Sequence, residues 1–164
     1  MMDTDDGGLP PVHATMAMPV PVLSADIDSI CADAENGWGL RLQQLREALG
    51  SGDVSIMVRA WHAACLEALA SQHWGPLISV GRAAVCMGLA IGLPAAFAAK
   101  ARQAFDIALY RARKASSVEG VLRVAAGFAA LGDREALEQS VALAERLTLN
   151  AEVGRHYGRD QDVP

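Results

Sequence analysis

The chain has 164 residues, of which 52% are apolar, 20% charged and only 5% aromatic. Alanine supplies 31 of them and glycine 15, so the chain is long enough for one domain but its core must be built from thin side chains. Collagen-like, disulfide-scaffolded and wholly disordered classes are excluded, and a net charge of −5 with a pI near 5.3 argues against nucleic acid as a partner.

Charge is unevenly spread. Residues 1–36 contain Asp3, Asp5, Asp6, Asp26, Asp28, Asp33 and Glu35 with no Lys or Arg, a charge of −7, whereas residues 37–147 sum to +3 and residues 148–164 to −1. Residues 1–24 also hold Pro10, Pro11, Pro19 and Pro21 with Gly7 and Gly8, a composition that predicts an extended, disordered or polyproline-like arm. Such an arm either folds back on the basic body or acts as a solvated tail. Its acidic start lacks the basic region of a secretory leader. Cys31, Cys65 and Cys86 are odd in number and match no zinc or redox spacing, so a reduced, cytoplasmic protein is expected. His13, Met16 and Met18 form a soft-ligand set suited to Cu(I), but chance alone often places such residues near a start codon, and no metal is assigned.

Ser24, Asp26 and Asp28 can cap a short helix through Ile27, Ile30 and Cys31 that ends at Asn36-Gly37. From Trp38 onward the periodicity is helical. Leu42, Leu45 and Leu49 form one stripe, and Gly50-Ser51-Gly52-Asp53 turns the chain with Asp53 as N-cap. Val54, Val58, Trp61, Cys65 and Leu69 make a second stripe, closed by Trp74-Gly75-Pro76. A largely apolar helix is predicted from Leu77 to Ile91, and a long one from Ala95 to about Ala115. Ser116 and Ser117 then cap a helix that ends near Leu131, and Asp133 caps the last, Arg134 to Leu147. Residues 148–164 are expected as a flexible tail. No segment has the alternation of a strand, so the body over 25–147 is all-α. The 17 uncharged residues between Arg82 and Lys100 are broken by Gly92-Leu93-Pro94, which favours two buried helices meeting at a turn over a membrane span.

Ala48-Leu49-Gly50, Ala90-Ile91-Gly92 and Ala130-Leu131-Gly132 repeat one pattern, Ala–aliphatic–Gly, where one helix closes and the next opens. Around the last of these, Val121, Val124, Ala125, Phe128, Leu137, Val141 and Ala144 alternate large and small packing residues. The unit over 117–147 resembles a tetratricopeptide-type repeat. The 77–114 hairpin resembles it more loosely, through Gly88, Gly92, Phe97, Ala101 and Ala104. The resemblance implies antiparallel helical hairpins stacked as a short solenoid and a role as a protein-binding adaptor or small chaperone. An irregular helical bundle is the alternative architecture.

Chemistry is sparse in the sequence. No phosphate-binding or dinucleotide-binding glycine spacing is present and no carboxylate pair has an apolar setting, so no cofactor is expected. His62 and Cys65 lie one turn apart with His73 beyond, which makes an accessory metal or thiol site the alternative function. The densest basic region is Lys100, Arg102, Arg111, Arg113, Lys114 and Arg123. Lys100, Arg102, Tyr110, Arg113 and Lys114 are therefore the expected binding surface for an acidic or amphipathic segment of another protein. The competing assignment is a solvated outer face with cations at a helix C-terminus. Trp38 and Trp74, each beside glycine, are expected as exposed anchors at hairpin ends, and Trp61 as core. Self-association through Ala-rich faces is a further expectation.

Overall fold

The structure is a computed structural model that describes residues 39–159. The acidic arm, the helix expected before Asn36, Cys31, Trp38 and the His13, Met16 and Met18 set lie outside the described residues. Within them the chain forms six helices and no strand: α1 (Gly39–Ser51), α2 (Val54–Ala70), α3 (Trp74–Ala90), α4 (Pro94–Lys114), α5 (Val118–Ala130) and α6 (Arg134–Arg159). The all-α expectation holds.

One local device makes all five turns. Each has a residue in the left-handed region followed at once by the N-cap of the next helix: Gly52 before Asp53, Gln72 before His73, Gly92 before Leu93, Ser116 before Ser117, and Gly132 before Asp133. The left-handed residue ends one helix and the capping side chain satisfies orphan N–H groups of the next. Asp53 Oδ1 accepts from Ser55 N at 2.8 Å and Ile56 N at 3.1 Å, and Ser117 Oγ accepts from Gly120 N at 3.0 Å. At Leu93 there is no side-chain cap, and Pro94 in the first turn removes one donor that would need it.

The turn glycine of the first hairpin is Gly52, with φ +70°, and not Gly50, which belongs to the last turn of α1. This correction regularises the repeat. The left-handed glycines fall at 52, 92 and 132, each 40 residues after the one before. They join α1 to α2, α3 to α4 and α5 to α6, whereas the turns between those pairs use Gln72 and Ser116.

Two other boundaries move. α3 begins at Trp74, because His73 Nδ1 accepts from Gly75 N at 3.1 Å and Pro76 falls in the first turn, where a missing N–H costs nothing. α6 runs past Leu147 to Arg159, so much of the expected tail is helix. No glycine or proline interrupts 148–153, and Thr148 Oγ1 donates to Ala144 O at 3.0 Å within the helix.

The core lies between neighbouring helices in chain order, with α3 at its centre. α3 packs against α2 and α4 and also touches α1 and α5. It is buried on nearly every side, from Pro76 to Gly81 and at Ala83, Ala84 and Cys86 to Gly88, which explains its uniformly apolar sequence. Alanines fill most close contacts, with Ala64, Ala68, Ala83, Ala84, Ala101, Ala108 and Ala112 fully buried. Aromatic rings fill the gaps between successive helix pairs. Trp61 of α2 meets Phe97 of α4 edge-on at 6.4 Å, and Phe105 of α4 meets Phe128 of α5 edge-on at 5.7 Å. Trp61 is core as expected, and its indole N–H donates to Val80 O at 3.0 Å.

Phe105 is held between two glycines. A Cβ on Gly127 of α5 would lie 2.8 Å from the Phe105 ring, and one on Gly81 of α3 would overlap the same ring. The small residues are thus the means by which α3, α4 and α5 approach one another around a single phenyl group.

Candidate functional site

Four cations of the basic region make contacts within the fold: Lys100 and Arg102, which are still exposed, and the half-buried Arg111 and Arg123. The Lys100 ammonium sits 5.4 Å over the Trp61 ring. Arg102 pairs with Asp133 at 2.6 Å, tying α4 to the first turn of α6. The Arg111 guanidinium donates to Ala68 O at 3.0 Å, Leu69 O at 2.8 Å and His73 O at 3.2 Å. It satisfies carbonyls at the C-terminus of α2 and complements that helix dipole, a tertiary cap that its place in a basic run does not reveal. Arg123 stacks 5.5 Å over Trp74 and lies 3.7 Å from Glu119.

Tyr110, 67% exposed, is on the surface as well, with Arg113 and Lys114 in the last turn of α4. The two cations are placed where a helix C-terminus favours them. Asp106 shares their outward face. Burial raises its carboxyl above the ordinary value, with Arg102 opposing the shift and Asp133 adding to it.

Trp74 is not the exposed anchor expected of it. The residue is half-buried, packed against both hydrophobic clusters of the core. A Cβ on Gly120 would stand 2.8 Å from its indole, so the ring occupies the space that this glycine leaves open on α5.

The His62, Cys65 and His73 residues are not assembled into one site. His73 uses Nδ1 to cap α3, and His62 is exposed with its ring 5.1 Å from that of Trp61. Cys65 is half-buried in the stripe facing the core. Burial pushes its thiol above the ordinary value of 9.0, with Lys100 pulling the other way, which disfavours the reactive thiolate. Among the described residues no group of three or more His, Cys, Asp or Glu side chains is placed to hold a metal ion. No helix among them is long and apolar enough to cross a membrane.

Three further surfaces carry no distinct signal in the sequence. The first is a stripe on the odd-numbered helices, which touch one another from α1 to α3 and from α3 to α5. α3 presents Val85 and Leu89 there, and α5 presents Leu122, Ala126 and Ala129 at i, i+4 and i+7. Leu89 is 59% exposed and Leu122 48%.

The others are grooves at the two ends of the helix array. Between α5 and α6, Val118, Leu122, Val141 and Leu149 form an apolar floor beside Glu145 and Glu152. Between α1 and α2, Ala48, Ile56, Ala60 and Ala63 lie beside Arg41, Glu47 and Arg59. Nothing in the residue types distinguishes these positions from core, since Leu, Val and Ala are what a helix buries. Only the lack of a covering helix among the described residues does.

Compared with known proteins, the chain matches no family model, no curated protein and no solved structure. The class that the fold defines is an all-helical protein whose described residues form six consecutive helices joined by one repeated turn.

Proposed function

We propose that this chain is a non-enzymatic protein-interaction module, an adaptor or small chaperone. Its three helical hairpins stack as a short tetratricopeptide-like solenoid that holds a helix or extended peptide of another protein. The observation that carries the proposal is the apolar set on helices α3 and α5, which pack against each other: Leu89, Leu122, Ala126 and Ala129 are exposed and Val85 is half-buried beside them. A row of first helices sharing one accessible apolar face is how hairpin repeats build a peptide-binding surface. The 40-residue recurrence of the left-handed glycines and the residue pattern around Leu131-Gly132-Asp133 support the same reading. The outward face of α4, with Gln103, Asp106, Tyr110 and Arg113, is polar and suits solvent.

Affinity capture from the native host tests it. Leu89→Glu with Ala126→Glu should keep the helical circular dichroism of the parent and lose the captured partner. An unchanged set of partners overturns the assignment of the stripe. Charge reversal of Arg113 and Lys114 is the companion experiment: partner loss there, with the Leu89/Ala126 variant unaffected, would move the binding face to α4.

A further inference from the structure

We propose that residues 25–36 form a helix that seats in the open groove between α1 and α2 and caps that end of the helix array. The proposal is independent of the partner-binding reading, since none of the groove's residues belongs to the α3–α5 stripe.

The regularity of the described chain carries it. Every described helix packs against its neighbour in chain order. Each hairpin turn puts a left-handed glycine two positions ahead of the next helix: Gly52 before Val54, Gly92 before Pro94 and Gly132 before Arg134. Gly37 stands two positions ahead of Gly39, where α1 begins. The entry to α1 therefore has the glycine of the other turns, and a helix ending at Asn36 is what such a turn closes.

The sequence ahead of Gly37 has one apolar face. Ile27, Ile30, Cys31 and Ala34 fall at i, i+3, i+4 and i+7, while Asp26, Asp28, Asp33 and Glu35 all fall outside that stripe. Isolated helices shorter than about 12–15 residues are marginal in water, so this one needs a surface on which to bury the stripe.

The surface within reach is the α1–α2 groove. The link from Asn36 to Gly39 spans at most about 11 Å, close to the distance of about 8–10 Å between packed helices, so the segment lies directly against α1. α1 already packs on α2 and touches α3. Its open side is the groove that Ala48 lines with Ile56, Ala60 and Ala63 of α2. Ile56 is 42% exposed and Ala63 is exposed, with no described element over them. The groove's charged residues, Arg41, Arg59 and Glu47, carry both signs, so the fit is between apolar surfaces and charge does not select it. The four carboxylates then form the outer face of a terminal helix, the polar cover with which a helical array closes an end. The α5–α6 groove at the other end of the array is beyond so short a link.

Disulfide cross-linking of the full chain tests this. In a Cys65→Ala background, Ala60→Cys or Ala63→Cys should join Cys31 within one molecule under mild oxidation, whereas Leu149→Cys should not. Iodoacetamide should label Cys31 at least about tenfold more slowly in the folded parent than in urea. Ile27→Asp with Ile30→Asp should abolish both the cross-link and the protection, and Asp28→Ser with Asp33→Ser should leave both intact. The proposal is overturned if Cys31 joins none of Ile56→Cys, Ala60→Cys and Ala63→Cys, or is labelled at its rate in urea. A cross-link to Leu149→Cys, one found only between two molecules, or one that survives Ile27→Asp with Ile30→Asp overturns it equally.

Discussion

Replacing Gly127 by alanine isolates what small residues do in this core. In a helix interior the change alone should stabilise by about 0.5–1 kcal/mol, because alanine loses less backbone entropy and shields the helix. Here the new Cβ would lie 2.8 Å from Cε1 and Cζ of Phe105, closer than real Cβ atoms come. The ring cannot yield. Phe105 is fully buried, Gly81 also lies against its ring and Phe128 meets it edge-on at 5.7 Å. Overpacking of this kind costs about 1–3 kcal/mol, so the net effect should be a loss of about 1–2 kcal/mol. That corresponds to a fall in melting temperature of about 3–6 °C for a domain of this size. Urea denaturation followed by circular dichroism measures it, with the slope unchanged and the midpoint lowered. Gly50→Ala is the control, since Gly50 is helical and a methyl group there would have nothing within 4 Å. It should raise stability by up to about 1 kcal/mol. A Gly127→Ala protein as stable as its parent, or one whose stability changes no differently from that of Gly50→Ala, would refute the close-approach reasoning.

Arg111→Ala removes three hydrogen bonds from the carbonyls at the α2–α3 junction and should cost about 1–3 kcal/mol in the same assay, with Arg111→Lys recovering only part, because an ammonium lacks the planar fork. Equal stability of the alanine variant and the parent would show that water replaces the guanidinium at no cost. Cys65 supplies a pH prediction. Its thiol is raised in the folded chain above the ordinary 9.0, so in the alkaline window the folded state retains a proton that the unfolded state has lost. That contribution to stability is full below 9.0 and declines as pH rises through the window up to the folded value. Cys65→Ala should therefore lose stability less steeply than the parent across that range, and iodoacetamide should modify Cys65 more slowly in the folded chain than in urea. Parallel pH profiles would contradict the burial argument.

Capping chemistry is legible in the sequence. Asp53, Ser117 and Asp133 each take up backbone N–H groups two or three residues away, an interaction that depends on nothing beyond the local segment. Where the local signal is double, it misleads. Gly50 and Gly52 both suit a helix end, and the choice between them rests on how far α1 stays packed on α2 before it turns. His73 and Pro76 together resemble punctuation, yet both are compatible with a first helical turn, and the packing of Trp74 against Gly120 draws that turn into the helix.

The candidate surfaces divide along the same line. Clustered cations can be found by inspection, but their partners cannot: Arg111 reaches carbonyls 38 to 43 positions away, and Arg102 the aspartate that caps α6. Conversely, Leu89, Leu122 and Leu149 have the residue type of a core and are exposed because no described helix lies over them.

Residue order alone determined the helical class and, to within a few residues, where the chain turns, because helix periodicity, caps and turn glycines act locally. The choice of Gly52 over Gly50, and with it the even 40-residue spacing, came from the fold. Tertiary structure alone decided which glycines are seats for rings, which arginines are spent on the fold, and which apolar stripes are left open. Those outcomes depend on the distance between helices that are far apart in the chain, and that distance is set by the sum of all packed side chains rather than by any one segment.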